Sequence, residues 1–321
     1  MSELAIVRTA SRTMASPRWW HLSIHAGGFD VADGIIEELV TPLVAHARTL
    51  GLGRWYFVRD ALPDGPGVLV NIQGPPAEIE MLQRRYRQMC DGAKTPKKQY
   101  RSQHAYSVPL EPRAAGRSGG GAKEADQQAE ADLKRYGGVK GLYLAEEVFE
   151  VSSELALWAC RRFQRAPARS AFAALVLFDS AQSMGQGSRA ARWPSRSVPW
   201  DHYWDQHLAA CTADVGHRAN AVREAMSTHV VAKSALFHAL MSATAAEATV
   251  QNWRRRWFRT IDTYLYRAHK AKVAREAQEL TLHQAHLTMR RLGVRPHEEA
   301  AFGLHARSWA DAQSLATVSL R

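Results

Sequence analysis

The feature that most limits the fold of this chain is the stretch from His217 to Leu292, which contains neither glycine nor proline. Helices of globular proteins typically run roughly 8–20 residues, so this stretch is too long for one helix. It predicts several helices joined by polar turns. We therefore expect the C-terminal half of the chain to be mainly helical.

The N-terminal part carries the patterns of a small antiparallel sheet. "WWHLSIHA" indicates a strand, and the runs "RWYFVRD" and "GVLVNIQG" flank the turn-rich "ALPDGP", which predicts a hairpin. Together with the helical half, these patterns predict an α+β fold with the antiparallel sheet and its hairpin in the N-terminal part.

Two helices are predicted around these strands. Apolar residues at helical spacing indicate a helix from about Asp33 to Leu50, in which Pro42 should cause a kink or mark the true start and Gly51 should end it. A second helix should begin at Pro75-Pro76 and bury Ile79, Leu82, Tyr86 and Met89.

Composition indicates a globular protein with basic character. The 321 residues are 46% hydrophobic and are enough for one large or two ordinary domains, and 42 Lys and Arg against 31 Asp and Glu give a net charge of +11. We expect a flexible N-terminus at 1–17 and mobile loops at 111–128 and 183–199, where Gly, Pro or Ser mix with charge. The charge favours an acidic partner: nucleic acid, an anionic membrane or an acidic peptide.

Cysteine usage and apolar runs indicate the compartment. Cys90, Cys160 and Cys211 are widely spaced and odd in number, so they predict neither a disulfide framework nor a CxxC unit. The N-terminal sequence lacks the apolar core of a secretory signal, and the longest apolar run, "FAALVLF", is too short to span a bilayer. We expect a cytoplasmic protein without a membrane partner.

Two local patterns resemble parts of known binding sites, a phosphate-binding loop and a metal site. "GRSGGGAK" has Ala122 where a phosphate-binding loop requires lysine, so a linker is the better interpretation. His283 and His286 lie one helical turn apart, but there is no HExxH and no carboxylate at ligand spacing. The sequence predicts no metal.

The basic stretch "NWRRRWFRTIDTYLYR" allows two interpretations. Arginines and aromatic residues can form a nucleic-acid surface. Alternatively, the spacing of Trp253, Trp257, Ile261 and Tyr264 is typical of a core stripe, with arginines on the opposite side of the helix. We favour the core stripe and expect no nucleic-acid partner.

A third segment, "KRYGGVKGLYLAEEVFEVSSELAL", carries paired glycines. Gly137 and Gly138 predict a turn ahead of a helix, with Arg135 and Tyr136 capping or packing this turn.

Taken in order, several segments resemble the C-terminal domain of lantibiotic dehydratases and its stand-alone relatives in thiopeptide biosynthesis. They are "WWHLSIHAGGFDVADGIIEELVTPLVAHARTLGLGRWYFVRD", "PDGPGVLVNIQG", "RYGG" with "AEEVFEVSSE", and "HLTMRRLGVRPHEE". In the dehydratases, the family domain eliminates glutamate from glutamylated Ser or Thr. Its hairpin reads like "GPHLRLRF", and its closing segment reads like "HMHxNRLG".

The sequence matches this pattern only in part. Arg59 matches the arginine before the turn, and His286, Arg291, Leu292 and Gly293 match the closing segment. Gly67, Leu69 and Asn71 stand in place of a His and two Arg, Ser152 replaces an acidic residue, and Arg290 replaces an Asn. Arginine suits bidentate carboxylate binding, so these losses disfavour glutamate elimination.

The resemblance runs from about Trp19 to Glu299 and implies a single domain over 1–321. With these departures, it implies a thiopeptide pyridine synthase rather than a glutamate-eliminating enzyme. Such an enzyme joins two dehydroalanines of a modified precursor peptide in a formal [4+2] cycloaddition and releases water and the leader peptide as an amide. The implied reaction needs no cofactor, and the implied partner is the modified precursor with its leader. A stand-alone glutamate-eliminating domain of a split dehydratase remains the alternative, with a nucleic-acid-binding protein and a non-catalytic peptide scaffold as further rivals.

Candidate site residues follow from this resemblance and from side-chain chemistry. For catalysis they are His286 for proton transfer, Arg291 to orient it or to stabilise developing charge on oxygen, and Tyr264 as a hydroxyl donor. For substrate binding they are Arg59, Arg135, Tyr136, Tyr266, Arg254 and Arg255. Alternative roles remain open at this stage: core packing for the tyrosines, and a helix cap before Gly293 for Arg291.

Overall fold

The computed structural model of the protein describes residues 18–25, 31–62, 65–92, 130–131, 133–164 and 166–319. The predicted flexible segment at 1–17 and the predicted loop at 111–128 lie outside these residues. The described chain begins with a small sheet and continues mainly as helices, as predicted.

The sheet has three antiparallel strands in the order β1-β3-β2. These are β1 (Arg18–His25), β2 (Trp55–Leu62) and β3 (Gly65–Gly74). In the register, Trp20 lies opposite Ile72 and Phe57 opposite Val70, and all four side chains are buried. The predicted first strand and hairpin are therefore confirmed.

The first helical segment contains a π-helical turn just before Pro42. It consists of α1 (Val31–Ile35), the π turn Ile36–Val40 and α2 (Thr41–Thr49). Proline has no backbone N–H to donate, and here both the backbone N–H and the hydroxyl of Thr41 donate to the carbonyl of Ile36. Pro42 thus perturbs the helix, as predicted, without ending it. Gly51, with φ of +67°, follows its end.

Eight further α-helices follow, besides the helical residues 130–131 and 133–136 and the 3-10 helix Ala213–Arg218. The confirmed second helix is α3 (Pro76–Gly92), and the others are α4 (Val139–Arg162), α5 (Ala166–Gln186), α6 (Trp200–Cys211), α7 (Ala219–Ala246), α8 (Ala248–Lys270), α9 (Ala277–Arg291) and α10 (Pro296–Ser319). The stretch without glycine or proline is therefore divided among three helices, α7, α8 and α9. Short connections at Glu247 and at 271–276 separate them, as predicted.

The paired glycines form a turn before α4. Gly137 and Gly138 have φ of +72° and +98°, a region that L side chains rarely adopt. Gly141 in the first turn of α4 also needs to be glycine, because a Cβ there would lie 1.7 Å from the carbonyl oxygen of Tyr136. The predicted turn ahead of a helix is confirmed.

The core is formed around α5, in which residues 171–181 are all buried. Helix α8 packs on it with Trp257, Ile261 and Tyr264, whose burial confirms the predicted core stripe. The indole N–H of Trp257 donates to the hydroxyl of Ser180 at 2.9 Å. Within the described part of the chain, no helix combines the length and apolarity needed to cross a membrane.

Segment 183–199 differs from the predicted loop. Residues 183–186 complete α5, and 190–192 and 194–196 form 3-10 turns. Arg196 is fully buried, with a nitrogen 2.7 Å from the carboxylate of Asp262 and hydrogen bonds to the carbonyls of Ser183 and Met184. The expected loop is therefore corrected. A buried ion pair and the stacking of Trp193 on His269, rather than apolar periodicity, hold the segment to α8, so the sequence pattern did not predict it.

Candidate functional site

A cavity of about 500 Å³ lies between the segment before α4 and helices α6, α9 and α10. Helix α9 contributes His283 and His286, and Glu299 comes from the first turn of α10. Its remaining lining residues include Lys134, Arg135, His207, Cys211, Arg275 and Glu279. The cavity thus combines titratable groups with several cations.

His286 and Glu299 form a hydrogen-bonded pair in this cavity. Nδ1 of His286 lies 2.8 Å from Oε2 of Glu299. The histidine side chain is 37% exposed, whereas the carboxylate side chain is 1% exposed. A carboxylate accepts hydrogen bonds, so Nδ1 carries the hydrogen and Nε2 is left to exchange a proton. The buried acid therefore fixes the tautomer of an accessible histidine.

Glu299 stays ionised although it is buried. Burial raises the pKa of its carboxyl, but His207 and His286 outweigh this effect and lower the pKa to about 2. Nε2 of His207 lies 3.3 Å from Oε1 of Glu299, a contact that lacks hydrogen-bond geometry. The site therefore holds a fixed negative charge behind His286.

His283 shares the cavity but differs in charge state. Burial, reinforced by Arg135, lowers the pKa of His283 to about 4. Its ring lies 6.2 Å from the ring of Tyr136 in an edge-on arrangement. His283 is therefore neutral near pH 7, and its environment disfavours a cationic role.

Arg59 and Arg291 lie in the interior rather than in this cavity. Nη1 of Arg59 is 2.6 Å from the carboxylate of Asp33, and its Nε donates to the carbonyl of Arg291. Arg291 is fully buried, donates to the carbonyl of Phe57, and has its guanidinium 5.1 Å from the ring centre of Phe149. Both side chains are engaged with the protein itself, which argues against the predicted contacts of Arg59 with substrate and of Arg291 with His286.

Gly293, two residues after Arg291, ends α9 in a backbone conformation that favours glycine. Its φ is +80°, and the backbone N–H groups of Gly293 and Val294 donate to the carbonyls of Arg290 and Met289 to close the end of α9. A Cβ at this position would lie 3.0 Å from Nη1 of Arg59. The closing segment therefore combines a helix cap with a close approach to a buried guanidinium.

Among the described residues that line the His286 cavity, none is a tyrosine predicted for the site. Tyr136 is 2% exposed and packs edge-on against Phe149. Tyr264 is 3% exposed, and burial raises the pKa of its hydroxyl, which makes proton release harder. The guanidinium carbon of Arg189 lies 5.0 Å from the ring centre of Tyr266. These positions favour packing roles for Tyr136 and Tyr264.

The three other arginines predicted to bind substrate, Arg135, Arg254 and Arg255, lie in different surroundings. Arg135 is exposed and lines the cavity with His286. Arg254 does not lie on a free basic surface, because its Nε and Nη2 bind both carboxylate oxygens of buried Asp179 at 2.8 and 2.7 Å. Arg255 is exposed and donates to Asn252. Of the substrate-binding candidates, only Arg135 shares the cavity with His286.

The hairpin face where the family pattern has cations carries neutral groups here. Leu69 and Asn71 alternate with the buried Val68 and Val70, so they lie on the opposite face of the sheet. Oδ1 of Asn71 is 2.5 Å from Nδ1 of His21, and burial lowers the pKa of His21. This face therefore provides no described cation to bind a carboxylate.

Sequence reasoning missed Glu299, His207 and Cys211 as members of the site. The carboxylate that was not found near His283 and His286 comes from the next helix, because Gly293 and the short connection after α9 bring α10 back against it. Glu299 is the last residue of "HEE", which ends the closing segment that resembles the family. His207 and Cys211 lie one turn apart on α6, a spacing that sequence alone did not distinguish from packing.

Comparison with known proteins places this architecture in a family. Residues 19–308 match the family described as lantibiotic biosynthesis dehydratase C-term. No curated protein matches the chain in sequence.

Two solved structures share the fold at low sequence identity. The pyridine synthase TbtD from thiomuracin biosynthesis superposes with a TM-score of 0.61 at 16% identity, covering 92% of this chain and 98% of that one. TsrL superposes with a TM-score of 0.57 at 14% identity, covering 93% and 96%. Since the family match spans most of the sequence, the chain belongs to the family of lantibiotic biosynthesis dehydratase C-terminal domains.

Proposed function

We propose that this chain is a pyridine synthase of thiopeptide biosynthesis. It would join two dehydroalanines of a modified precursor peptide by a formal [4+2] cycloaddition and expel water and the leader peptide amide. Family membership and the fold shared with TbtD, a pyridine synthase, support this proposal. The observation that carries it is the His286–Glu299 pair at the cavity.

The reaction needs proton transfer more than charge binding. One amide of the peptide must become its iminol, which takes a proton at oxygen and loses one at nitrogen. The resulting azadiene adds to the second dehydroalanine, water leaves, and loss of the leader as an amide makes the ring an aromatic pyridine. His286 would accept and return the proton, and Glu299 would hold the imidazole and stabilise its cation.

Positioning of the peptide would supply much of the remaining acceleration. Holding two distant parts of a flexible chain together can lower a barrier by roughly 7–11 kcal/mol in well-oriented systems. The cavity wall carries Lys134, Arg135 and Arg275, which suit peptide carbonyls and an acidic leader. No cofactor is required by these steps.

The alternative, glutamate elimination, fits the same family but not the same contacts. An enzyme that expels glutamate needs cations for the leaving carboxylates. Arg59 is the only Lys or Arg in β2 and β3, and its guanidinium is already paired with Asp33. Leu69 and Asn71 supply no charge on the opposite face of β3.

Mass spectrometry of the purified protein with two peptides tests the proposal. One peptide carries a leader and two dehydroalanines in a thiazole-rich core, and the other carries glutamylated Ser. We expect the first to yield free leader amide and a product lighter by that amide and water, while the second remains intact. Glutamate loss from the second peptide with the first unchanged would establish elimination instead, and binding without conversion of either would indicate a non-catalytic scaffold.

A further inference from the structure

Three potential metal ligands of different chemistry meet beside the His286 cavity. His207 and Cys211 lie one turn apart on α6, and Glu299 faces them from α10. Their exposed fractions are 3%, 5% and 1%, and their ligand atoms all lie within 4.8 Å of one another. All three also line the cavity, so an ion could reach them from it.

Two of the separations between these atoms match a tetrahedral zinc centre, and the third, between the Glu299 oxygen and the Cys211 sulfur, is within 4.8 Å. Zinc binds imidazole nitrogen and carboxylate oxygen at about 2.1 Å and thiolate sulfur at about 2.3 Å, which at tetrahedral angles separates N from O by about 3.4 Å and N from S by about 3.6 Å. Here Nε2 of His207 lies 3.3 Å from Oε1 of Glu299 and 3.8 Å from Sγ of Cys211. The side chains therefore need only small adjustments to bind one ion.

The Glu299 oxygen that faces His207 and Cys211 has no hydrogen-bond partner among the described residues. Oε1 of Glu299 is buried without a hydrogen bond among the described residues, whereas Oε2 is bonded to His286. A buried oxygen of a charged group that lacks such a bond is costly, and a cation would satisfy it. The bond from His286 to the other oxygen is the kind of outer contact that orients a ligating carboxylate.

Charge and space also favour zinc. Burial and Glu299 raise the pKa of the Cys211 thiol, so binding of the ion would release its proton to solvent. The resulting thiolate and the carboxylate would carry the two negative charges that balance a divalent ion, and thiolate with imidazole is a ligand set that zinc prefers. Gly303 provides room for the ring of His207, because a Cβ there would lie 2.5 Å from its Nδ1 and Cε1.

We infer that His207, Cys211 and Glu299 form a zinc site with three protein ligands, whose fourth position faces the His286 cavity. The site would join α6 to α10 and fix the carboxylate that holds His286. It departs from the sequence-based expectation of no metal, which considered only His283 and His286. The inference is independent of the proposed reaction, because its test measures metal binding.

The experiment uses Co²⁺ as a spectroscopic substitute for zinc. The full chain is treated with a chelator and titrated with Co²⁺, and absorption is followed for the charge-transfer band that arises from a thiolate bound to cobalt. We expect one equivalent of Co²⁺ to saturate the band and one equivalent of Zn²⁺ to remove it. Absence of a thiolate band in the wild-type chain would overturn the inference.

Variants locate the site. Cys211→Ser should lose the band, and His207→Gln should lose the one-to-one saturation, while Cys90→Ser, which changes a cysteine on α3, should keep both. A band that persists in folded Cys211→Ser would contradict the assignment. If Cys211→Ser does not fold by circular dichroism, folded His207→Gln decides, because unchanged stoichiometric binding in that variant would also contradict it.

Discussion

The side chains of Arg59 and Arg291 each donate a hydrogen bond to a backbone carbonyl of the element that carries the other arginine. Nε of Arg59 lies 2.9 Å from the carbonyl oxygen of Arg291, and Nε of Arg291 lies 2.7 Å from the carbonyl oxygen of Phe57, two residues before Arg59. This reciprocal pair connects strand β2 to the end of helix α9. Arg59, a predicted substrate-binding residue, and Arg291, a predicted catalytic residue, therefore hold the sheet against the helical part.

Replacing Arg59 should destabilise the protein without adding a binding defect of its own. Arg59→Met removes the contacts of a buried guanidinium to the end of α9 and to partly exposed Asp33, which keeps Arg169 as a partner, so we expect a loss of about 1.5–3 kcal/mol. Urea unfolding should show this loss, whereas the same change at exposed Arg255 should alter the free energy of unfolding by less than about 0.5 kcal/mol. Equal effects at the two positions would contradict the structural role.

Substitution of Gly293 should also destabilise, for a backbone reason. Gly293→Ala places a Cβ at φ of +80° and 3.0 Å from Nη1 of Arg59, so we expect a loss of about 1–2 kcal/mol. Gly185→Ala is the matched control, because that glycine is helical and has open space around it. The control should stabilise by about 0.5 kcal/mol, and a loss in both variants would show that the positive φ is not the cause.

Much of the fold was predictable because local chemistry determined it. The hairpin, the helix from Pro76 and the division of 217–292 followed from turn residues and apolar spacing. The placement of Arg196 was not predictable, because a charged residue between Ser195 and Ser197 gives no sign of burial. Its ion pair with Asp262 depends on contact between segments far apart in the chain.

Arg196 should therefore be more important for stability than its surroundings in the sequence suggest. Arg196→Met leaves Asp262 buried without its cation, so we expect a loss of about 3–5 kcal/mol in the free energy of unfolding. Arg189→Met, in the same segment, removes an exposed hydrogen bond to Thr263 and the contact with the ring of Tyr266, and should cost about 1 kcal/mol or less. Tolerance of Arg196→Met would restore the interpretation of 183–199 as a loop.

His305 should make stability depend on pH. Burial, together with His238 and His229, lowers the pKa of His305 to about 4, from the ordinary value of 6.5. The unfolded chain thus binds a proton there before the folded chain does, so its contribution to stability is complete above pH 6.5 and is lost as the pH falls towards 4. His305→Phe should flatten this part of a pH series of urea unfolding curves, and His202→Phe, at an exposed site, should leave it unchanged. An unaltered slope in His305→Phe would contradict the assignment.

The candidate site was predictable only in part. His286 was identified because it lies within a segment that resembles the family pattern, and Arg135 because it precedes the glycine turn. Glu299 required knowledge of how α10 folds back on α9. Arg59 was assigned to substrate binding and Arg291 to orienting His286 because both match the family pattern, whereas in the fold their backbone and carboxylate contacts compensate for burial.

The central claim is that His286 transfers the proton that allows pyridine formation, and single-turnover kinetics with the dehydroalanine peptide test it most directly. We expect His286→Ala to slow product formation by roughly 10²–10⁴-fold and added imidazole to restore part of the rate, because the side chain is accessible. His297→Ala, an exposed histidine in the first turn of α10, should react at the wild-type rate. A folded His286→Ala protein that forms pyridine as fast as the wild type would contradict the claim.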